Sequence, residues 1–162
     1  MKTQNIEAQE YFSKKAANYY NEHYGNINSE TFYPSLYLRH MYTLQMLEKL
    51  KPGKALDIGC GSGAMVRELI SRGYKVVAAD ISQDMLEATK KTVKGHPREK
   101  KVIKYTQEDI EAMSFASNSF DLIICTGVIE YLKSDEKAIA EITRVLKPNG
   151  VAFISSQNKL GP

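Results

Sequence analysis

The fold follows from residues 54–64, which read Lys-Ala-Leu-Asp-Ile-Gly-Cys-Gly-Ser-Gly-Ala. Lys54–Ile58 is a short apolar run, which is typical of a strand buried on both faces of a sheet. Glycines follow at alternate positions, and they allow the sharp turn and close backbone approach of a ligand-binding loop. The loop leads into a predicted helix at 63–72, whose free N–H groups favour a polar or anionic ligand group.

Beyond this stretch, apolar strands alternate with amphipathic helices. Further strands are predicted at 75–80, 102–106, 120–126 and 151–155, and helices at 82–93 and 134–146. Strands joined by helices imply right-handed parallel crossovers, and apolar strands without strict alternation fit a sheet covered on both faces. The predicted fold class is α/β, a doubly wound, mostly parallel Rossmann-like sheet.

The N-terminal residues 1–50 differ from the rest because they are rich in tyrosine and carry no strand pattern. Two helices are predicted, at about 4–20 and 34–50, and Lys-Pro-Gly at 51–53 ends the second. We expect 1–50 to form a helical lid over a core at 51–162. Plain packing of the tyrosines on the sheet edge is the alternative.

Length and composition fit one globular domain, with 162 residues, 43% hydrophobic residues and a net charge of +3. No apolar run reaches the ~18 residues of a membrane span, no secretory signal is recognised, and two cysteines are too few for a disulfide framework. A cytoplasmic location is expected, and no metal site is predicted. The basic stretch 90–104 is interpreted as a solvated face, with a docking patch for an acidic partner as the alternative.

An acidic residue stands where the second predicted strand ends, at the edge where doubly wound sheets bind ligands. Asp80 lies 21 residues after Gly59, and a carboxylate there suits the two hydroxyls of a ribose. The alternative role for Asp80 is an N-cap of the next helix, although Ser82 serves that purpose equally well.

The third strand is followed by Glu108 and Asp109, either of which could accept the amine of an adenine. Ile81 and Ile110 would then lie on the faces of the ring. The alternative is that these acids cap a short helix at 110–113.

Five motifs in order resemble those of class I S-adenosylmethionine-dependent methyltransferases. They are the glycine loop at 55–63, Asp80, Gln107-Glu108-Asp109, the segment 115–123 and the turn at 145–150. Gly59-x-Gly61-x-x-Ala64 also satisfies the fingerprint of NAD(P) enzymes. However, Asp57 before the first glycine is usual for the methyltransferases and unusual for that fingerprint.

The resemblance implies S-adenosyl-L-methionine as the cofactor and S-adenosyl-L-homocysteine as its product. Asp57 is expected to organise the loop, by accepting its backbone N–H groups or a bridging water. The lid is expected to contribute tyrosine or arginine side chains. The cofactor-binding residues that the resemblance implies are Asp57, Gly59, Cys60, Gly61, Asp80, Ile81, Met85, Glu108, Asp109, Ile110, Thr126, Tyr19 and Arg39.

The resemblance also implies a small-molecule acceptor with an N, O or C nucleophile. After the fourth strand the chain reads Cys-Thr-Gly-Val at 125–128, without the Asn/Asp-Pro-Pro motif of enzymes that methylate base amines. No nucleic-acid partner is therefore expected. No catalytic residue is assigned, and the candidates for a general base are Glu130, Tyr131, His23 and His40.

The family's sheet usually has seven strands, whereas this chain stops soon after the fifth predicted strand. We expect either a truncated core or a partner that completes it, and homo-oligomers through the open edge of that strand. The alternatives to an active methyltransferase are an inactive cofactor- or partner-binding module and an NAD(P)-dependent enzyme.

Overall fold

The computed structural model describes residues 4–20, 24 and 34–156, and a sheet of five parallel strands forms its centre. The order of the strands is β3-β2-β1-β4-β5. The order therefore reverses between β1 and β4, which confirms the predicted doubly wound sheet. The strands are β1 (Lys54–Ile58), β2 (Lys75–Asp80), β3 (Val102–Gln107), β4 (Phe120–Thr126) and β5 (Leu146–Ser155).

Helices cover both faces of this sheet, because successive strand residues point to opposite sides. On one face, Leu122 and Ile124 of β4 share an apolar cluster with Leu69. On the other, Ile123 packs in a second cluster with Ile142. The helices are α1 (Gln4–Lys15), α2 (Pro34–Leu47), α3 (Ala64–Ser71), α4 (Gln83–Val93) and α5 (Asp135–Val145).

Two serines begin helices as the sequence predicts. The Ser82 hydroxyl accepts the Met85 N–H at 3.3 Å at the start of α4, and the Ser134 hydroxyl accepts the Lys137 N–H at 3.4 Å at the start of α5. Such caps each contribute ~1 kcal/mol. The helix ends agree with the prediction less well.

The N-terminal helices are shorter than predicted. Helix α1 ends at Lys15 rather than near residue 20, because the Asn18 N–H bonds the Lys15 carbonyl in a tight turn. Helix α2 ends at Leu47 rather than 50, where the Leu50 N–H closes a similar turn onto the Leu47 carbonyl at 3.1 Å. At both helix ends the hydrogen bonds shift to three-residue spacing, as in the bond from the Lys49 N–H to the Met46 carbonyl at 3.3 Å.

Strand β5 begins earlier than predicted, at Leu146 rather than 151. Leu146 pairs with Phe120, and the next pair joins Val151 to Leu122. Residues 147–150, predicted as a turn before the strand, therefore form a bulge within it, with Asn149 at φ 64°. No helix in the described part of the chain is long and apolar enough to cross a bilayer.

Candidate functional site

A cavity of about 110 Å³ opens at the carboxyl ends of the strands, where their order reverses between β1 and β4. The loops after β1, β2, β3 and β4 line it, and so do residues of α1 and α2. All thirteen residues predicted to bind the cofactor lie around this one space. Which part of a ligand each one contacts stays a prediction.

The loop after β1 needs glycine at position 59. Gly59 has φ +73°, and a Cβ there would lie 2.3 Å from Val128 Cγ2. The N–H groups of Gly59 and Cys60 both donate to the Ala79 carbonyl, at 2.8 and 3.0 Å. The loop is thereby fixed to β2 on one side and packed against the segment after β4 on the other.

Asp80 at the end of β2 holds this loop through its carboxylate. The Gly61 N–H donates to Oδ2 and the Ser82 N–H to Oδ1, each at 2.9 Å. Asp80 is 6% exposed, and burial raises its pKa although backbone N–H groups of Ser82, Gly61 and Ile81 oppose that shift. An ionised carboxylate accepts about four hydrogen bonds, so Asp80 retains acceptor capacity for a ligand in the cavity.

Asp57 at the end of β1 was expected to accept loop N–H groups, but the Gly61 N–H goes to Asp80 instead. Asp57 is 2% exposed, and its Oδ2 has no hydrogen-bond partner among the described residues. Burial, with a contribution from the Asp80 charge, raises the pKa of Asp57 to about 8. A bridging water at Asp57 stays a prediction.

The acids after β3 support their own loop. Glu108, which is 7% exposed, accepts the Ser114 N–H at 2.9 Å and the Ser114 hydroxyl at 2.5 Å. Asp109 accepts the Glu111 N–H at 2.9 Å. Residues 110–111 form a turn rather than the short helix considered at 110–113, so the acids bond a loop and cap no helix there. Both acids also line the cavity beside Ile110.

Helix α1, which belongs to the predicted lid segment, lines the cavity through two residues that the sequence did not single out. Phe12 meets the ring of Tyr131 at 5.0 Å and that of Tyr19 at 6.2 Å between centroids, both edge to face. Ala8 lies one turn before Phe12 and lines the cavity too. The four-residue spacing of this pair was the available signal, but such pairs are common on helices that merely pack.

Arg39 of α2 reaches the end of β4. Its guanidinium lies so close to Gly127 that a Cβ on this glycine would be 2.7 Å from Nη2. Arg39 Nη1 is 4.0 Å from Glu130 Oε1, and Tyr24 hydrogen-bonds the same side chain. Arg39 is thereby held over the strand end by groups from two other segments.

The four candidates for a general base occupy different surroundings. Tyr131 lines the cavity, and burial raises the pKa of its phenol. Glu130 lies beside Arg39, and its Oε2 is buried without a hydrogen-bond partner among the described residues. The His40 ring lies 5.5 Å from the Tyr24 ring between centroids and is tilted by 58° to it, and burial lowers the pKa of His40. His23 lies outside the described residues.

A family model described as a methyltransferase domain matches residues 56–154, which contain all five strands except the ends of β1 and β5. The chain belongs to this methyltransferase family. The resemblance seen in the sequence motifs is therefore confirmed.

Curated relatives of this methyltransferase chain match over the same region. A ubiquinone biosynthesis O-methyltransferase of Rickettsia canadensis is 34% identical over 106 residues, covering 65% of this chain and 43% of that protein. A malonyl-[acyl-carrier protein] O-methyltransferase of Halalkalibacterium halodurans is 33% identical over 113 residues, covering 67% and 40%. The chain thus spans about two fifths of the length of these relatives.

Solved structures share the fold. Phosphoethanolamine N-methyltransferase 2 of Haemonchus contortus, solved with phosphomonomethylethanolamine and S-adenosylhomocysteine, matches with a TM-score of 0.74 at 25% identity. The match covers 95% of this chain and 35% of that one. The PH0226 protein of Pyrococcus horikoshii matches with a TM-score of 0.66 at 26% identity, covering 91% and 64%.

Proposed function

We propose that this chain is an S-adenosylmethionine-dependent methyltransferase that transfers a methyl group to a small molecule. The observation that carries the proposal is the cavity at the strand-order reversal, where the strained Gly59 loop and the buried Asp80 meet. Family membership over residues 56–154 supports the same reading.

The lining residues fit the parts of such a cofactor. Backbone of the loop Gly59 to Gly61 would follow the methionine part, because this loop lines the cavity directly after β1. Asp80 would accept the ribose hydroxyls, and Arg39 would face the carboxylate. Asp57, Cys60, Ile81, Met85, Glu108, Asp109, Ile110, Thr126 and Tyr19 would complete the cofactor site.

When bound, the cofactor supplies a methyl group already activated by its sulfonium. The protein's main task is then to hold the acceptor in line with that methyl group, and such positioning is worth ~7–11 kcal/mol. Thr126 at the end of β4 would lie at the reactive end of the cofactor, and Tyr131 after β4 would contact the acceptor. A general base is optional for an amine or phenolate acceptor.

The N-terminal segment 1–50 would act as the lid over a core at 51–162. Phe12, Tyr19, Tyr24 and Arg39 cover the cavity, which favours a small acceptor over a nucleic acid. We place such an enzyme in the cytoplasm. We also propose that the edge of β5, where Ile154 is 41% exposed, pairs with a second copy of the chain.

Turnover tests the proposal. The protein is incubated with S-adenosylmethionine labelled in its methyl group and with panels of small amines, phenols, alcohols and carboxylates. We expect label in a small product, and we expect the Asp80→Asn variant to lose most of it. Binding of S-adenosylhomocysteine without transfer to any panel would contradict the enzyme proposal and favour an inactive binding module.

A further inference from the structure

Acidic side chains outnumber basic ones among the described residues that line the cavity. Four acidic side chains line it against Arg39 alone. Arg39 Nη1 is itself 4.0 Å from Glu130 Oε1, and the other oxygen of that carboxylate is buried. The acidic lining residues are Asp57, Asp80, Glu108 and Asp109.

These carboxylates differ in their hydrogen-bond partners. Glu108 and Asp109 accept hydrogen bonds within their own loop, and Asp80 accepts two backbone N–H groups. By contrast, Asp57 Oδ2 is buried in the cavity floor without a hydrogen-bond partner among the described residues. A buried carboxylate without a partner strongly favours a ligand that brings a positive charge or a donor proton.

Aromatic rings surround the same space. Phe12 and Tyr131 stand 83° to each other, and Phe12 and Tyr19 stand 68° apart, so the three rings enclose the upper part of the cavity from different directions. Tyr24 adds a fourth ring to the lining. Burial raises the pKa of the Tyr19, Tyr24 and Tyr131 phenols, which therefore stay neutral near pH 7.

We propose that the acceptor is an amine, and that the rings of Phe12 and Tyr131, to which no part of the cofactor is assigned, stabilise its methylated ammonium product. The proposal rests on the proposed function and specifies its acceptor. The named relatives include both O- and N-methyltransferases, so they do not decide between an oxygen and a nitrogen acceptor. The proposal of an amine rests instead on the aromatic and acidic side chains that line this cavity.

The charge balance of amine methylation suits this environment. The nitrogen lone pair forms the N–C bond as the C–S bond breaks, and the bonding electron pair stays on sulfur. The positive charge thus moves from sulfur to nitrogen within the cavity, and an ammonium that carries a hydrogen later releases a proton to solvent. An anionic acceptor would instead have to enter a space already rich in carboxylates.

A matched set of three probes tests the inference by calorimetry on the protein saturated with neutral S-adenosylhomocysteine. Choline is the cation, 3,3-dimethylbutan-1-ol is its uncharged carbon isostere, and 3,3-dimethylbutanoate is the anion of similar shape. We expect choline to bind at least about tenfold more tightly than the alcohol, with the anion weakest.

Four variants show whether the rings cause the preference. Phe12→Leu and Tyr131→Leu should each lower the choline-to-alcohol affinity ratio by about threefold or more, whereas Tyr131→Phe keeps the ring and should keep the ratio. Tyr42→Leu is the control, because Tyr42 is 64% exposed on α2, away from the cavity.

Two failures are distinguishable in this design. If S-adenosylhomocysteine does not bind, the proposed function itself fails. If it binds but choline does not bind more tightly than both other probes, the amine inference is overturned and the proposed function stands.

Discussion

The hydroxyl oxygens of Ser13 and Ser82 lie 2.8 Å apart, and this contact joins α1 to the N-terminus of α4. Ser82 is fully buried, caps α4 through the Met85 N–H and donates its own N–H to Asp80. A chain of hydrogen bonds therefore connects the N-terminal cover of the cavity with the carboxylate proposed to bind the ribose.

Removing the Ser13 hydroxyl should loosen this cover. One part-buried hydrogen bond contributes ~0.5–1.5 kcal/mol, so the Ser13→Ala variant should release S-adenosylhomocysteine several times faster in stopped-flow dilution. Ser71→Ala removes an exposed hydroxyl on α3 and serves as the control. Identical release rates for all three proteins would show that α1 does not restrain the ligand.

Adding one methyl group at Gly59 should disrupt the loop. The Gly59→Ala variant would combine the strain of φ +73° with a Cβ placed 2.3 Å from Val128 Cγ2. Gly95→Ala is a matched control, because Gly95 has φ +79° but no atom within 4 Å of the added Cβ. Urea unfolding should show a loss of ~1 kcal/mol for the control, and a loss larger by ~1–3 kcal/mol for Gly59→Ala.

Equal losses for the two glycine variants would mean that Val128 moves away freely. S-adenosylhomocysteine binding should separate the variants further, because only Gly59 lines the cavity. Gly95→Ala should bind the ligand as tightly as the wild type.

The buried Asp57 should make stability depend on pH. An aspartate in the unfolded chain loses its proton near pH 4, whereas burial and the Asp80 charge raise the folded pKa of Asp57 to about 8. The folded state therefore binds more protons between these values, and its stability falls as pH rises from about 4 toward 8. Asp57→Asn should remove this part of the slope.

Urea unfolding of the wild type and Asp57→Asn across that pH range measures the effect as a difference. Burial lowers the pKa of His40, which acts in the opposite direction, and the difference between the two proteins cancels it. Asp57→Asn also removes a charge that raises the pKa of the Cys60 and Cys125 thiols, but burial keeps both pKa values above the pH range measured. If the difference in unfolding free energy between the two proteins did not change with pH, the buried Asp57 would not be the source of the pH dependence.

Local signals were sufficient for the sheet and for much of the site. The apolar strand before Gly59 and the acidic residue at the end of β2 can each be recognised from a short stretch of sequence. Doubly wound sheets bind ligands at the carboxyl ends of their strands, so both were expected at the same edge. The motif resemblance supplied the remaining cofactor residues, and the structure brings all of them to one cavity.

Contacts between distant residues were not predictable in this way. The rings of Phe12 and Tyr131 are in contact although the two residues lie far apart in the sequence. No motif near either residue predicts this contact. The bulge in β5 likewise depends on how Leu146 and Val151 pair with β4. Asp57 was expected to accept loop N–H groups or a bridging water, whereas the Gly61 N–H donates to Asp80, a residue of another strand.

A calorimetric titration with S-adenosylhomocysteine tests the central claim most directly, with NAD as the competing ligand. The account predicts micromolar binding of S-adenosylhomocysteine, no binding of NAD, and a roughly ten- to hundredfold loss for Asp80→Asn. Asp84→Asn, at an exposed position in the first turn of α4, should bind like the wild type. Binding of NAD alone, or unchanged affinity in Asp80→Asn, would contradict the account.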